Sequence, residues 1–195
     1  MLMFDTGCKK KYLRLFILSF FILFINFNSE LYSSELAISA LREGKKLVFI
    51  RHSLAPGNGD PDEITLDDCS TQRNLNLAGI NQSKKIGFFF KKNKIKVEKV
   101  LSSEWCRCKD TAKYAFQKFQ TYNALNSFYS SKFADKKKKQ INELREFIKN
   151  WNGENNIIFV THYVVILEIL NTPTSSGEIV IFDKNLNIIS KIETL

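Results

Sequence analysis

The chain holds two histidines, and each closes an apolar run: "KLVFIRHS" at 46–53 and "NIIFVTHY" at 156–163. A neutral imidazole offers an unprotonated ring nitrogen that can attack phosphorus and form a covalent intermediate, splitting one hard transfer into two easier steps. Arg51 stands directly before His52, and Arg107 lies in "LSSEWCRCKDTA", 101–112. A guanidinium group meets phosphate oxygens with a fork of fixed donors, and a helix N-terminus adds N–H groups and a favourable dipole. In phosphoryl transfer the protein's task is mostly to position the group and to neutralise its equatorial oxygens. His52, His162, Arg51 and Arg107 could do this together without a metal or other cofactor, and no carboxylate cluster or CxxC pair suggests one.

These residues act together only if the elements before them run side by side. "KLVFI", "VEKVLSS" (97–103) and "NIIFVT" (156–161) are short apolar or half-apolar runs that read as strands, the first and last as central ones covered on both faces. Helical periodicity appears in 35–43, ending at Gly44, and in 77–92, where Leu77, Ile80, Ile86 and the phenylalanines fall on one face. Further helices read at 105–119, 136–151 and 163–170, the last stopping before Pro173. "EIVIFD" and "IISKIE", joined by the turn "KNLN", close the chain as a pair of strands. Helices alternating with strands predict an α/β three-layer sandwich: a mostly parallel central sheet, helices on both faces and an antiparallel edge. In such sheets the active crevice lies beyond the carboxyl ends of the strands. That rule gathers both histidines and both arginines at one edge. Residues 54–76, rich in Gly, Pro, Asp and Asn, and "NALNSFYSSKFAD" (123–135) read as irregular covers over that edge.

An apolar fraction of 44% and a charged fraction of 25% are those of a folded globular protein. "KKKYLR" followed by the uncharged apolar segment 15–27 has the layout of an export signal. It is shorter than the roughly 20 residues that span a bilayer. The expected organisation is therefore a signal peptide or signal anchor over 1–34 and one domain over 35–195, in a periplasmic or otherwise exported protein with a possible tether to the inner membrane through 15–27. Of the net charge of +9, residues 1–30 carry +2 from four basic and two acidic residues, leaving +7 on the rest. A basic surface favours anionic partners. "KKNKIK" (91–96) and "KKKK" (136–139) read as solvated lysines without aromatic interleaving, which excludes a nucleic-acid interface and leaves a phosphorylated small molecule as the expected partner. Cys69, Cys106 and Cys108 follow the apolar segment. They can be read as free thiols or as one disulfide, Cys69 with Cys106 or Cys108.

Four segments in register resemble the histidine phosphatase (phosphoglycerate mutase-like) superfamily. "LVFIRHS" resembles its Arg-His-Gly signature, with Ser53 where glycine or alanine is usual. "QRNLNLAGINQS" resembles its R-x-L-T-x-x-G-x-x-Q-A segment, "LSSEWCRCKDTA" its S-S-x-x-x-R-x-x-x-T-A segment, and "IIFVTHY" its second-histidine strand. The resemblance implies that His52 is the phosphorylated nucleophile and that Arg51, Arg107 and His162 bind the phosphoryl group. It implies that Arg73 and Asn58 contact or shape the substrate site and that Thr111 supports the Arg107 helix. No segment matches the superfamily's acidic proton donor; Glu104, Asp60, Asp62, Asp67 and Asp68 are the carboxylates near enough in sequence. The expected activity is that of an exported, metal-independent, histidine acid phosphatase-type phosphoric monoester hydrolase. The alternatives are a non-catalytic phosphate or phospho-sugar binding module of the same fold and a phosphohistidine phosphatase.

Overall fold

A computed structural model describes residues 35–194. The apolar segment 15–27, with its expected role in export or tethering, lies outside the described residues. Among the described residues no helix is long and apolar enough to cross a membrane.

Helix α1 (35–43) leads through Gly44 into β1 (Leu47–Arg51). The long loop then carries a 3₁₀ turn at Cys69–Thr71 and delivers the chain to α2 (Leu77–Lys92) and β2 (Val97–Ser102). Helix α3 (Cys106–Phe116) is followed by a two-residue strand, β3 (Gln120–Thr121), and a 3₁₀ turn at Asn123–Leu125. The short α4 (Ser131–Ala134) and the longer α5 (Lys137–Asn150) precede β4 (Asn156–Thr161) and α6 (Tyr163–Leu170). Strands β5 (Ile179–Phe182) and β6 (Ile188–Ile192) end the fold.

The six strands form one sheet in the order β3-β2-β4-β1-β5-β6. The first four in that order are mutually parallel, while β5 runs antiparallel to both its neighbours, β1 and β6. The predicted α/β sandwich with an antiparallel edge is thus the architecture observed. Because side chains alternate along a strand, β1 feeds two cores. Val48 and Ile50 join Ala37, Leu41, Ile86 and Ala112 on one face. Leu47 and Phe49 join Leu144, Ile148, Val165 and Ile166 on the other. Phe49 packs between Phe159 of β4 and Phe182 of β5, with ring centroids 5.3 and 4.8 Å away, so aromatic contact runs across the three central strands.

Helix α2 has the predicted boundaries and buries Ile86 and Phe90 as predicted, with Phe89 packed against the core, but Leu77 and Phe88 do not join them. Leu77 and Phe88 are 72% and 64% exposed, while Gly79, Gln82, Ser83, Ile86 and Phe90 are buried. The helix lies too close to the residues leaving β1 for large side chains at its N-terminal end: a Cβ on Gly79 would sit 2.1 Å from the Leu54 carbonyl oxygen. Helix α3 stops three residues earlier than the sequence pattern extends, at Gln117, whose φ of +66° breaks the helical path and releases the chain toward β3.

Candidate active site

Register places the two histidines. In the β1–β4 ladder Arg51 is opposite Thr161, so His52 and His162 leave adjacent parallel strands at the same level. The ladder continues past the strand ends, with His52 N–H donating to the Thr161 carbonyl at 2.9 Å and Ser103 N–H to Val160 at 2.9 Å. The imidazole centroids are 5.6 Å apart, and both rings are buried.

His52 Nδ1 is 2.8 Å from the Ser53 carbonyl oxygen. A carbonyl only accepts, so Nδ1 carries the proton and Nε2 keeps its lone pair. Burial, followed by the Arg107 charge, holds His52 well below the ordinary histidine pKa of 6.5. His162 is lowered in the same way by burial, Arg107 and His52. Both rings are therefore neutral near pH 7, as a nucleophile at His52 requires.

The arginines surround them. Arg107, in the first turn of α3, gives Nη1 and Nη2 to the two carboxylate oxygens of Asp60 at 2.7 and 3.1 Å, and Nη2 also lies 3.3 Å from His162 Nδ1. Arg51 gives Nη1 to the Thr174 carbonyl at 2.6 Å and lies over the Tyr163 ring. Each of these two arginines keeps a buried Nε–H without a protein partner. Two orphaned guanidinium donors are costly unless a ligand satisfies them, and the ligand that fits is an oxyanion. Arg73 donates Nε to the Gly59 carbonyl at 2.7 Å and Nη1 to the Ala55 carbonyl, so it braces the first loop and lines the pocket. Asn58 is exposed on the pocket rim. Thr111 accepts from Ser53 N–H and donates to the Arg107 carbonyl, the supporting role expected of it.

The resulting cavity, about 350 Å³, is lined by His52, His162 and the three arginines, with Trp105, Phe133, Tyr129 and Tyr163 on its walls. Of the five carboxylates considered from sequence, Asp60 alone lines it; Glu104 faces a separate cavity beside Lys136, Lys139 and Glu143. Asp60 also accepts Trp105 Nε1–H at 3.2 Å and Arg73 N–H at 3.1 Å. Its pairing with Arg107 is long-range, and no local spacing in the sequence signals it. Cys69 and Cys106 form a disulfide, which ties the 3₁₀ turn of the first loop to the residue before Arg107. Cys108 is free, buried and 3.5 Å from His162 Nε2, and burial pushes its thiol up to about 12, too high for a thiolate nucleophile.

No protein-family profile matches this chain, and no curated protein matches it. Solved structures do. The protein histidine phosphatase SixA complexed with tungstate is 16% identical over 76% of this chain and 97% of its own, with a TM-score of 0.53. A phosphoglycerate mutase from Thermus thermophilus is 13% identical over 76% and 98%, with a TM-score of 0.55. A mycobacterial glucosyl-3-phosphoglycerate phosphatase is 12% identical over 71% and 92%, with a TM-score of 0.52. At these identities the likeness is one of fold: the sheet and its helices are arranged as in histidine phosphatases and phosphoglycerate mutases, the superfamily that the four sequence segments resemble.

Proposed function

We propose that the chain is a phosphatase that hydrolyses a phosphate monoester through a phosphohistidine at His52. The observation that carries this reading is the Nδ1–H bond from His52 to the Ser53 carbonyl, which leaves Nε2 as the bare nitrogen in a cavity shared with three arginines. In the first step the Nε2 lone pair forms a bond to phosphorus as the ester P–O bond breaks, and its electron pair leaves on the departing oxygen. The orphaned Nε–H donors of Arg51 and Arg107 are available to the equatorial oxygens. Water then attacks the phosphohistidine, releasing phosphate and restoring the nitrogen. Asp60 is occupied by Arg107, Trp105 and Arg73, so the leaving oxygen takes its proton from the phosphoryl monoanion or from water, a chemistry suited to good leaving groups.

Export belongs to the same proposal. It is supported by the basic cluster and apolar segment at the N-terminus and by the Cys69–Cys106 disulfide, a bond that persists in oxidising compartments. The likeness to SixA favours a second reading, a phosphohistidine phosphatase acting on proteins.

Incubating the purified chain with an aryl phosphate and with a phosphohistidine peptide, each beside His52→Ala, tests both. Release of phosphate by the wild type alone, with acid-labile phosphate trapped on His52, is the expected result. No release from either substrate would remove the enzyme and leave a phosphate-binding module.

A further inference from the structure

Beyond the pocket, a line of hydrogen bonds leads away from His162. Ser103 Oγ lies 2.8 Å from His162 Nε2 and 3.1 Å from Asn126 Oδ1. Asn126 Oδ1 also accepts Glu104 N–H at 2.9 Å, and Asn126 Nδ2 donates to the Glu104 carboxylate. One assignment of donors satisfies every bond, with the Cys108 sulfur, 3.5 Å from His162 Nε2, as a weak acceptor beside Ser103. A backbone N–H can only donate, so the Asn126 atom facing it is the oxygen; the Ser103 hydroxyl must then give its proton to that oxygen and accept one from His162 Nε2. From the other side of the ring, the Arg107 guanidinium can only donate to Nδ1. Both ends of the chain specify the same tautomer, with Nε2 protonated and Nδ1 bare.

We propose that Glu104, Asn126 and Ser103 form a relay of positioning residues that fixes the His162 tautomer, keeps its bare Nδ1 as the acceptor for Arg107 beside the phosphoryl pocket and sets a carboxylate behind the ring as counter-charge. This rests on the phosphatase reading for its catalytic meaning, not for its geometry. Glu104 belongs to a different cavity from the phosphoryl pocket, so it acts through His162 rather than as a proton donor to substrate. The cations facing the ring are Arg107 from α3, Arg51 from the end of β1 and Arg73 from the first loop, with the neutral His52 ring beside it. All of these oppose an imidazolium, so the relay supplies a counterweight on its far side.

The test uses the full chain labelled with ¹⁵N-histidine. With two histidines the ring signals are few, and His52→Ala assigns them. The wild type is expected to show His162 protonated at Nε2 with a slowly exchanging signal. Asn126→Ala, which removes no atom touching His162, is expected to shift that signal, speed its exchange and lower kcat on the order of 10- to 100-fold with a smaller change in KM. Glu104→Gln, on a partly exposed residue, is expected to move the signal in the same direction by less, and decides the matter if Asn126→Ala does not fold. A wild-type His162 protonated at Nδ1, or a relay variant that folds and leaves the Nε2–H signal unchanged, overturns the proposal. A wild type that releases no phosphate fails the phosphatase reading alone, because the ring signals still report the relay.

Discussion

Arg107 Nη1 stands 2.7 Å from Asp60 Oδ1, with side chains only 4% and 11% exposed, so the pair is a buried ion bridge between the first loop and the helix behind the pocket. The bridge is bidentate and uses the two terminal nitrogens of the fork, which leaves Nε for a ligand. Asp60 therefore does not compete for the whole guanidinium. It fixes the plane in which the free edge is presented.

Asp60→Asn tests that division. The amide keeps one acceptor but cannot serve both guanidinium nitrogens, and an unsatisfied buried donor costs roughly 1–3 kcal/mol. The expected result is a lower Tm and a lower kcat/KM. Inorganic phosphate restores a partner to Arg107, so its stabilising effect on Tm is expected to be larger in the variant than in the wild type. Equal Tm increments would mean that Asp60 and the anion do not share Arg107.

Histidine burial sets the pH behaviour. His52 and His162 both titrate well below 6.5 in the folded chain, first because of burial and then because of Arg107. Unfolded histidine takes up its proton near 6.5, so below about that pH the unfolded state binds more protons and stability falls as the pH falls. Thermal unfolding between about pH 7 and pH 5 is expected to show this decline. The acid limb of kcat/KM for the free enzyme is expected below the ordinary histidine range, since Nε2 of His52 remains bare there. A limb at or above 6.5 would contradict a buried neutral nucleophile.

The disulfide supports the same loop covalently. Cys69 and Cys106 are 37 residues apart, and a loop of that length constrains the unfolded chain by about 4 kcal/mol on the chain-entropy account. Replacing both with serine is expected to lower the denaturant midpoint and to raise KM, because the segment holding Asp60 and Arg73 loses its tie beside Arg107. Cys108→Ser removes no crosslink, and its effect on KM is expected to be small.

The reasons for what the sequence made legible are physical. Continuous apolar runs as short and as rich in β-branched and aromatic residues as "LVFI" and "NIIFV" read as strands buried on both faces, and parallel strands release His52 and His162 at one edge. Their alignment at a common level then follows from register. Helix α2 was legible in extent and in the burial of Ile86 and Phe90, but not at its start: periodicity cannot distinguish Leu77, at the exposed start of the helix, from a core leucine, nor show that Gly79 and Ser83 are buried because the chain leaving β1 presses on them. Asp60 could be named only among five carboxylates, since its partners Arg107 and Trp105 lie more than forty residues away, at separations of 47 and 45. Asn126 gave no signal at all. A single asparagine in an irregular segment acquires meaning only when the fold sets it between Ser103 and Glu104.

Gly79 joins that buried face to the chemistry. Gln82, one turn further along α2, accepts Leu54 N–H at 2.9 Å and donates to the Ser176 carbonyl at 2.7 Å, so α2 holds the residue two positions after His52. A Cβ at position 79 would lie 2.1 Å from the Leu54 carbonyl oxygen, and that atom is backbone, so the helix or the loop must move. Gly79→Ala is expected to cost about 1–3 kcal/mol as an overpacked contact, despite alanine's better helix propensity. The same displacement passes through Leu54 to Ser53, whose carbonyl sets the His52 tautomer. Loss of kcat is therefore expected to accompany the loss of Tm, whereas Leu77→Ala, on the exposed side of the same turn, is expected to leave kcat unchanged. A Gly79→Ala chain with full kcat would show that α2 supports the fold without positioning His52.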